Sequence, residues 1–161
     1  MFDIKIFTDG SVNPQEKIGF GAYFILEDDT YNLEEIKNNI KLNKFENTSS
    51  TKLELEVLLW ALSNENLENK KILIYTDCQN ILSLLERKEK LFESNFTTKT
   101  GKIVKNNELY KEFYEKIKKL DCTFLKIKGH KASSKKDEID KLFNLVDKAS
   151  RRALREYLNR K

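Results

Sequence analysis

No stretch of the chain approaches the roughly 20 consecutive apolar residues that a membrane-spanning helix needs, so none is expected. The N-terminal MFDIKIFTDG opens as a strand pattern, not as a charged region followed by an apolar one, and a cytoplasmic chain without a cleaved signal is expected. Cysteine is almost missing. Cys78 and Cys122 stand far apart with no CxxC or Cys/His spacing, which argues against a disulfide scaffold and against zinc, and both read as reduced core or near-core residues. With one proline and five glycines in 161 residues, no internal repeat or linker-like segment divides the chain, so residues 1–161 are read as a single domain. What is present suffices for a packed core: hydrophobic residues are 39% and aromatics 11%, and the 35% charged content is not that of a disordered chain.

The formal charge of +4 conceals an uneven distribution. Residues 1–85 carry 8 basic and 14 acidic side chains, residues 86–136 carry 15 and 7, and residues 137–161 carry 7 and 5. An acidic front beside a basic middle suits a site that collects cations next to a surface that collects phosphates.

Along the chain, Ile4 to Thr8 alternates as a strand and breaks at Asp9-Gly10-Ser11. Gly19 to Leu26 reads as a second strand and Tyr31 to Ile40 as a weaker third, giving an antiparallel front. From Ser49 the period changes. Leu55, Leu58, Leu59 and Leu62 fall on one helical face, and a helix over roughly 51–63 is predicted. Lys71 to Thr76 suits a buried central strand ending at Asp77. Helices are predicted over 79–86 and 107–120, with an irregular lysine-bearing segment between them, then a fifth strand over 122–127. The polar loop 128–136 leads into a long closing helix striped by Ile139, Leu142, Phe143, Val146, Ala153, Leu154 and Tyr157. The expected fold class is α/β, a mixed sheet with helices.

Acids stand where a fold prefers none. Two central strands each end in Asp, Glu54 is embedded in the apolar run Leu53 to Leu62, and Asp147 flanks the last stripe. Singly, Asp9 reads as a turn residue, Asp77 as an N-cap, and Glu54 and Asp147 as helix-flank acids. Together they suggest a cluster, because ligand crevices form beyond strand ends and burying an unpartnered carboxylate is costly. Oxygen donors of this kind call for hard divalent cations, preferably magnesium, which keeps water ligands and bridges to phosphates.

Six short motifs, in order, carry a resemblance that covers essentially the whole chain. They are Ile6-Phe-Thr-Asp-Gly-Ser11 with Gly19-Phe-Gly-Ala22, Ser50-Thr-Lys-Leu-Glu-Leu55, Tyr75-Thr-Asp-Cys-Gln79, Val104-Lys-Asn-x-x-Leu-Tyr110, Lys128-Gly-His130 and Val146-Asp-Lys-Ala149. The sequence resembles type 1 ribonuclease H. The resemblance implies a five-stranded mixed sheet, three strands antiparallel and then two parallel, flanked by helices. It implies hydrolysis of the RNA strand of RNA–DNA hybrids by two magnesium ions, with manganese as an alternative, leaving 5′-phosphate and 3′-hydroxyl ends. Asp9 would be shared between the metals, Glu54 and Asp77 would complete one site and Asp147 would help hold the other. His130, the single histidine, would transfer a proton or assist product and metal release. Asn13, Ser50 and Gln79 would lie near the minor groove, and Ser49 with Asn106 near a DNA phosphate; capping or turn chemistry is the alternative for each. Lys99, Lys102 and Lys105, with Phe92 and Phe96 nearby, would follow the DNA strand. The expected partner is the hybrid duplex, bound by a monomer without a separate hybrid-binding domain and without a membrane. Other nucleic acids as substrate, or hybrid binding without catalysis, are the competing readings.

The chain departs from the family in two places. Typical members place about ten residues between the loop histidine and the last acid, with an Asn four before that acid. Here Asp147 follows His130 by 17 and position 143 is Phe. Asp140 is therefore a rival to Asp147, but Val-Asp-Lys-Ala-Ser-Arg-Arg-Ala-Leu fits the family's helix better, and Asp147 is chosen. The basic handle is diluted by Glu86, Glu89 and Glu93, with phenylalanines in place of its tryptophan.

Overall fold

The computed structural model describes residues 1–128 and 137–160. In chain order the elements are β1 (Ile4–Asn13), β2 (Ile18–Leu26), α1 (Leu33–Asn38), β3 (Lys41–Glu46), α2 (Ser50–Asn64), β4 (Lys71–Thr76), α3 (Gln79–Glu86), α4 (Lys88–Glu93), α5 (Asn107–Lys118), β5 (Asp121–Lys126) and α6 (Glu138–Asn159). The sheet order is β3-β2-β1-β4-β5. Pairing is antiparallel across β1, β2 and β3 and parallel from β1 to β4 and from β4 to β5, as expected.

Strand alternation splits the core between the two faces of the sheet. Ile4 and Ile6 of β1 join Leu55, Leu58, Leu62, Ile72, Ile74 and Phe113 beneath α2 and α5. Phe7 faces the other way, stacking on Phe24 and Tyr75 with centroids 4.8 and 4.6 Å apart, against Leu142, Phe143 and Val146 of α6. Two absent side chains set how closely α2 lies to the sheet. A Cβ at Gly21 would stand 2.2 Å from Val57 Cγ2, and one at Gly10 would stand 2.9 Å from Leu53 Cδ2 and 3.4 Å from Glu54 Oε1. Helix and backbone thus touch directly, and Glu54 reaches β1 beside Gly10.

Three expectations are corrected. The span 31–40 is not a strand. Asn32 caps α1 by accepting from the Glu34 and Glu35 N–H groups, at 2.9 and 3.2 Å, and the third strand follows at Lys41–Glu46. The acids Glu34 and Glu35 in its first turn and Lys37 in its last suit the helix dipole, while Ile36 is the one buried anchor. The segment between the middle helices holds α4, whose single buried residue, Leu91, left little periodicity to read. Asp9 does not end β1, which continues to Asn13 paired with β2. What ends near Asp9 is the pairing with β4, whose last partner on β1 is Phe7.

The closing helix begins nine residues before Asp147, so part of the extra length after His130 is helix. Asp137 accepts from the Asp140 N–H at 2.8 Å, while the Asp140 carboxylate accepts from the Asp137 N–H at 3.2 Å. This reciprocal pair is a capping box, and it gives Asp140 a structural task at the helix start.

Candidate active site

Three elements deliver carboxylates to the gap left where β4 parts from β1. Asp9 comes from β1, Asp77 from the residue after β4, and Glu54 from the first turns of α2. One carboxylate oxygen from each lies within 4.8 Å of the others. Asp9 is buried and Glu54 half-buried, and Asp77 is the most open of the three. Cys78 takes the N-cap position of α3 without a side-chain cap bond, so the capping alternative for Asp77 is not realised.

Burial pushes the Asp9 carboxyl up to about 10, helped by the charges of Glu54 and Asp77 and, more remotely, Asp147; the Gly10 N–H works in the opposite direction. Glu54 is pushed up to about 8, first by burial and then by the charge of Asp77, against hydrogen bonds from Asp9 and the Gly10 N–H. Glu54 Oε2 is buried with no hydrogen-bond partner. An orphaned carboxylate oxygen among like charges is unfavourable unless a cation is bound there. The all-oxygen donor set therefore fits a hard divalent cation.

Asp147 is outside this trio but close enough for its charge to act on Asp9 and Glu54. Its Oδ2 accepts from Arg151 Nη2 at 2.9 Å, one turn along α6. Arg151 was missed in the sequence, although an arginine four residues after a helical acid is a readable signal. His130 lies outside the described residues.

The candidate substrate residues divide. Asn13 closes the turn after β1 by accepting from the Glu16 N–H at 2.9 Å. Ser49 caps α2, accepting from the Lys52 N–H at 3.3 Å, which is the capping alternative, while Ser50 is exposed at the first helical position. Gln79 Oε1 accepts from Lys126 Nζ at 2.7 Å, a partnership the sequence did not suggest. Asn106 stands before α5 with φ 65°, a left-handed conformation asparagine tolerates, and its side chain makes no cap bond. Lys99 and Lys102 project from the exposed turn that the Thr97–Ile103 bridge closes, and Lys105 is exposed just beyond it. Phe96 is buried beneath this turn, whereas Phe92, packed edge-on against it at 5.1 Å, is 53% exposed. A concavity of 460 Å³ between β2 and α1 is lined by none of the four carboxylates.

The RNase H family profile matches residues 2–148. Ribonuclease H of Clostridium botulinum (strain Hall) is 31% identical over 148 residues, spanning 89% of this chain and 95% of that protein. Ribonuclease H of Caldicellulosiruptor saccharolyticus is 29% identical over 160 residues, spanning 97% and 99%. Among solved structures, a foamy viral protease-reverse transcriptase in complex with double-stranded DNA is similar with a TM-score of 0.68 at 15% identity, covering 92% of this chain and 94% of that one. That likeness concerns the fold alone, but the profile match takes in Asp9, Glu54, Asp77 and Asp147, and the chain belongs to the RNase H family.

Proposed function

We propose that this protein is a metal-dependent endoribonuclease that hydrolyses the RNA strand of RNA–DNA hybrids, leaving 5′-phosphate and 3′-hydroxyl ends. The observation that carries the reading is the carboxylate trio within 4.8 Å, including an unpartnered buried oxygen of Glu54, in a member of this family. Asp9, Glu54 and Asp77 would hold one magnesium ion, or manganese in its place, and Asp9 with Asp147 a second. Ions bound there supply Lewis acidity for in-line hydrolysis of a phosphodiester. Arg151 holds the Asp147 carboxylate in place by their 2.9 Å ion pair. His130 is assigned proton transfer or product and metal release by its place in Lys128-Gly-His130.

Substrate contacts follow from which polar atoms the fold leaves over. The carbonyl oxygens of Asn13 and Gln79 are both taken by protein donors, so their NH₂ groups are left to donate. Minor-groove base edges offer acceptors in every pair, and 2′-hydroxyls accept as well, so two amide donors and the Ser50 hydroxyl read a hybrid without reading its sequence. Ser49, which can still donate its hydroxyl while capping, and Asn106 are assigned a DNA phosphate. Lys99, Lys102 and Lys105 extend that contact.

The test is cleavage of a labelled hybrid with magnesium. Cleavage of the RNA strand that disappears in Asp9→Asn, with duplex DNA of the same sequence untouched, supports the proposal. Undiminished cleavage in that variant, or equal cleavage of duplex DNA, overturns it.

A further inference from the structure

Beyond Asp147, α6 presents a row of cations that the proposed reaction does not yet use. Lys148, Arg152 and Arg155 are exposed and recur at i, i+4 and i+7, on the side of the helix opposite to buried Leu142, Val146, Ser150 and Leu154. Arg151 lies between this row and Asp147 and is the one arginine of the group engaged by a described acid. Glu156 is the sole acid between residues 148 and 160, and no described ion pair ties it to the row. Like charges at this spacing oppose helix formation. The helix dipole does not account for them, because the last turn of α6 holds no basic residue.

The position of the row suggests its partner. It starts one residue after Asp147, whose charge reaches Asp9 and Glu54, and the helix runs on from there toward β2 and β3, where Tyr157 packs on Phe20 and under Lys44 Nζ. From Lys148 to Arg155 is about 10 Å at the helical rise, close to the axial advance of three nucleotides at about 3.4 Å each. A phosphate chain passing over the carboxylates would meet these cations next.

We infer that the outer face of α6, through Lys148, Arg152 and Arg155, is a track for the phosphates of the RNA strand beside the scissile bond. The inference rests on the hybrid-nuclease reading and adds a second basic surface to the lysine turn at 99–105. It is a surface of phosphate contacts and carries no base readout. Each phosphate it neutralises releases counterions, so its contribution is read from the salt dependence of binding.

The experiment measures binding of a short fluorescein-labelled hybrid over a range of salt, in the Asp9→Asn background so that the probe stays intact. Adding Arg152→Ala and Arg155→Ala is expected to lower the slope of log affinity against log salt by about 0.9 for each phosphate that is no longer neutralised, nearly two in all. Alanine favours helix, and circular dichroism confirms that α6 persists. The same removal of charge at the far end of the sheet, Lys71→Ala with Lys119→Ala, is expected to leave the slope unchanged. Neutral methylphosphonate linkages beside the cleavage position in the RNA strand are expected to abolish the difference between parent and variant. An unchanged slope in the arginine variant, an equal fall in the lysine control, or abolition by neutral DNA linkages instead overturns the inference. Cleavage by the unsubstituted chain is measured alongside. Its absence overturns the hydrolase reading together with this one, whereas cleavage with an unchanged slope overturns the α6 track alone.

Discussion

Replacing Asp9 by Asn should make the metal-free protein more stable while abolishing catalysis. Asp9 is 4% exposed, and its carboxyl is pushed from 3.8 up to about 10, first by burial and then by the charges of Glu54 and Asp77. Well below its ordinary value the group carries a proton in both folded and unfolded chains and affects neither. Above it, the unfolded chain has lost a proton that the folded protein still holds, so stability falls as pH rises, by about 1.4 kcal/mol per unit. The fall continues until the folded group also ionises, near 10. At about pH 8 the ceiling on this cost is about 6 kcal/mol. Glu54, itself pushed up to about 8, is partly protonated there and relieves part of this cost, so the gain in melting temperature is a matter of several degrees, at roughly 2–4 °C per kcal/mol for a chain of this size. Asn keeps an acceptor for the Gly10 N–H and gains a donor toward Glu54. The assay is thermal unfolding followed by circular dichroism in chelator at about pH 8 and about pH 4, then at the higher pH with magnesium. The gain should be present at the higher pH and nearly vanish at the lower one. Magnesium should raise the melting temperature of the native chain and not that of the variant. A variant that melts at or below the native chain in chelator at the higher pH, or gains equally at both, would refute the reasoning.

Two helical acids, Asp140 and Asp147, should separate cleanly. Asp140→Ala removes half of the capping box and should cost about 1 kcal/mol in a urea melt with cleavage retained, whereas Asp147→Ala should sharply slow hybrid cleavage with a smaller change in the melt. Gly21→Ala drives a methyl into Val57, 2.2 Å away, so α2 must move; a loss of about 1–3 kcal/mol and weaker metal binding by calorimetry are expected, and a neutral melt would contradict the close approach. Lys99→Glu with Lys102→Glu should weaken hybrid binding at low salt, with the difference shrinking as salt rises; a salt-independent effect would point to misfolding of the turn instead.

Much of this protein could be read from local pattern. The period-2 and period-3.6 runs located β2, β4 and β5 within a few residues, the first half of β1 but not its continuation to Asn13, and the helices α2, α3, α5 and α6. Those elements set two or more apolar residues against the core, and a face leaves a period in the chain. Where only one residue is buried, as Ile36 in α1 and Leu91 in α4, no period exists and both helices were overlooked. Asp9, Glu54, Asp77 and Asp147 were legible because each is an acid lodged beside or within an apolar pattern, which is energetically out of place. Six ordered motifs supplied the common purpose proposed for them, and the structure brings oxygens of Asp9, Glu54 and Asp77 within 4.8 Å of one another.

Other facts belong to tertiary structure because they depend on pairs distant in sequence. That Asp9 sits mid-strand, in a gap opened by the early end of β4, follows from which strand lies beside β1 and where that pairing stops. That Glu54 approaches it depends on Gly10 and Gly21 admitting α2, a contact between residues tens of positions apart. Asp140 and Asp147 stand alike in the linear chain, and the fold gives them different neighbours: Asp140 joins a capping box with Asp137, and Asp147 pairs with Arg151. Lys126 claiming the Gln79 oxygen, and so choosing which end of that amide faces outward, joins residues 47 apart. The sequence by itself determined which residues are candidates for the chemistry and on which elements they ride, since both are written in local spacing. The three-dimensional packing decided which carboxylates converge, which are committed to capping, and which polar atoms are left for a substrate, because close approach is a property of the folded chain alone.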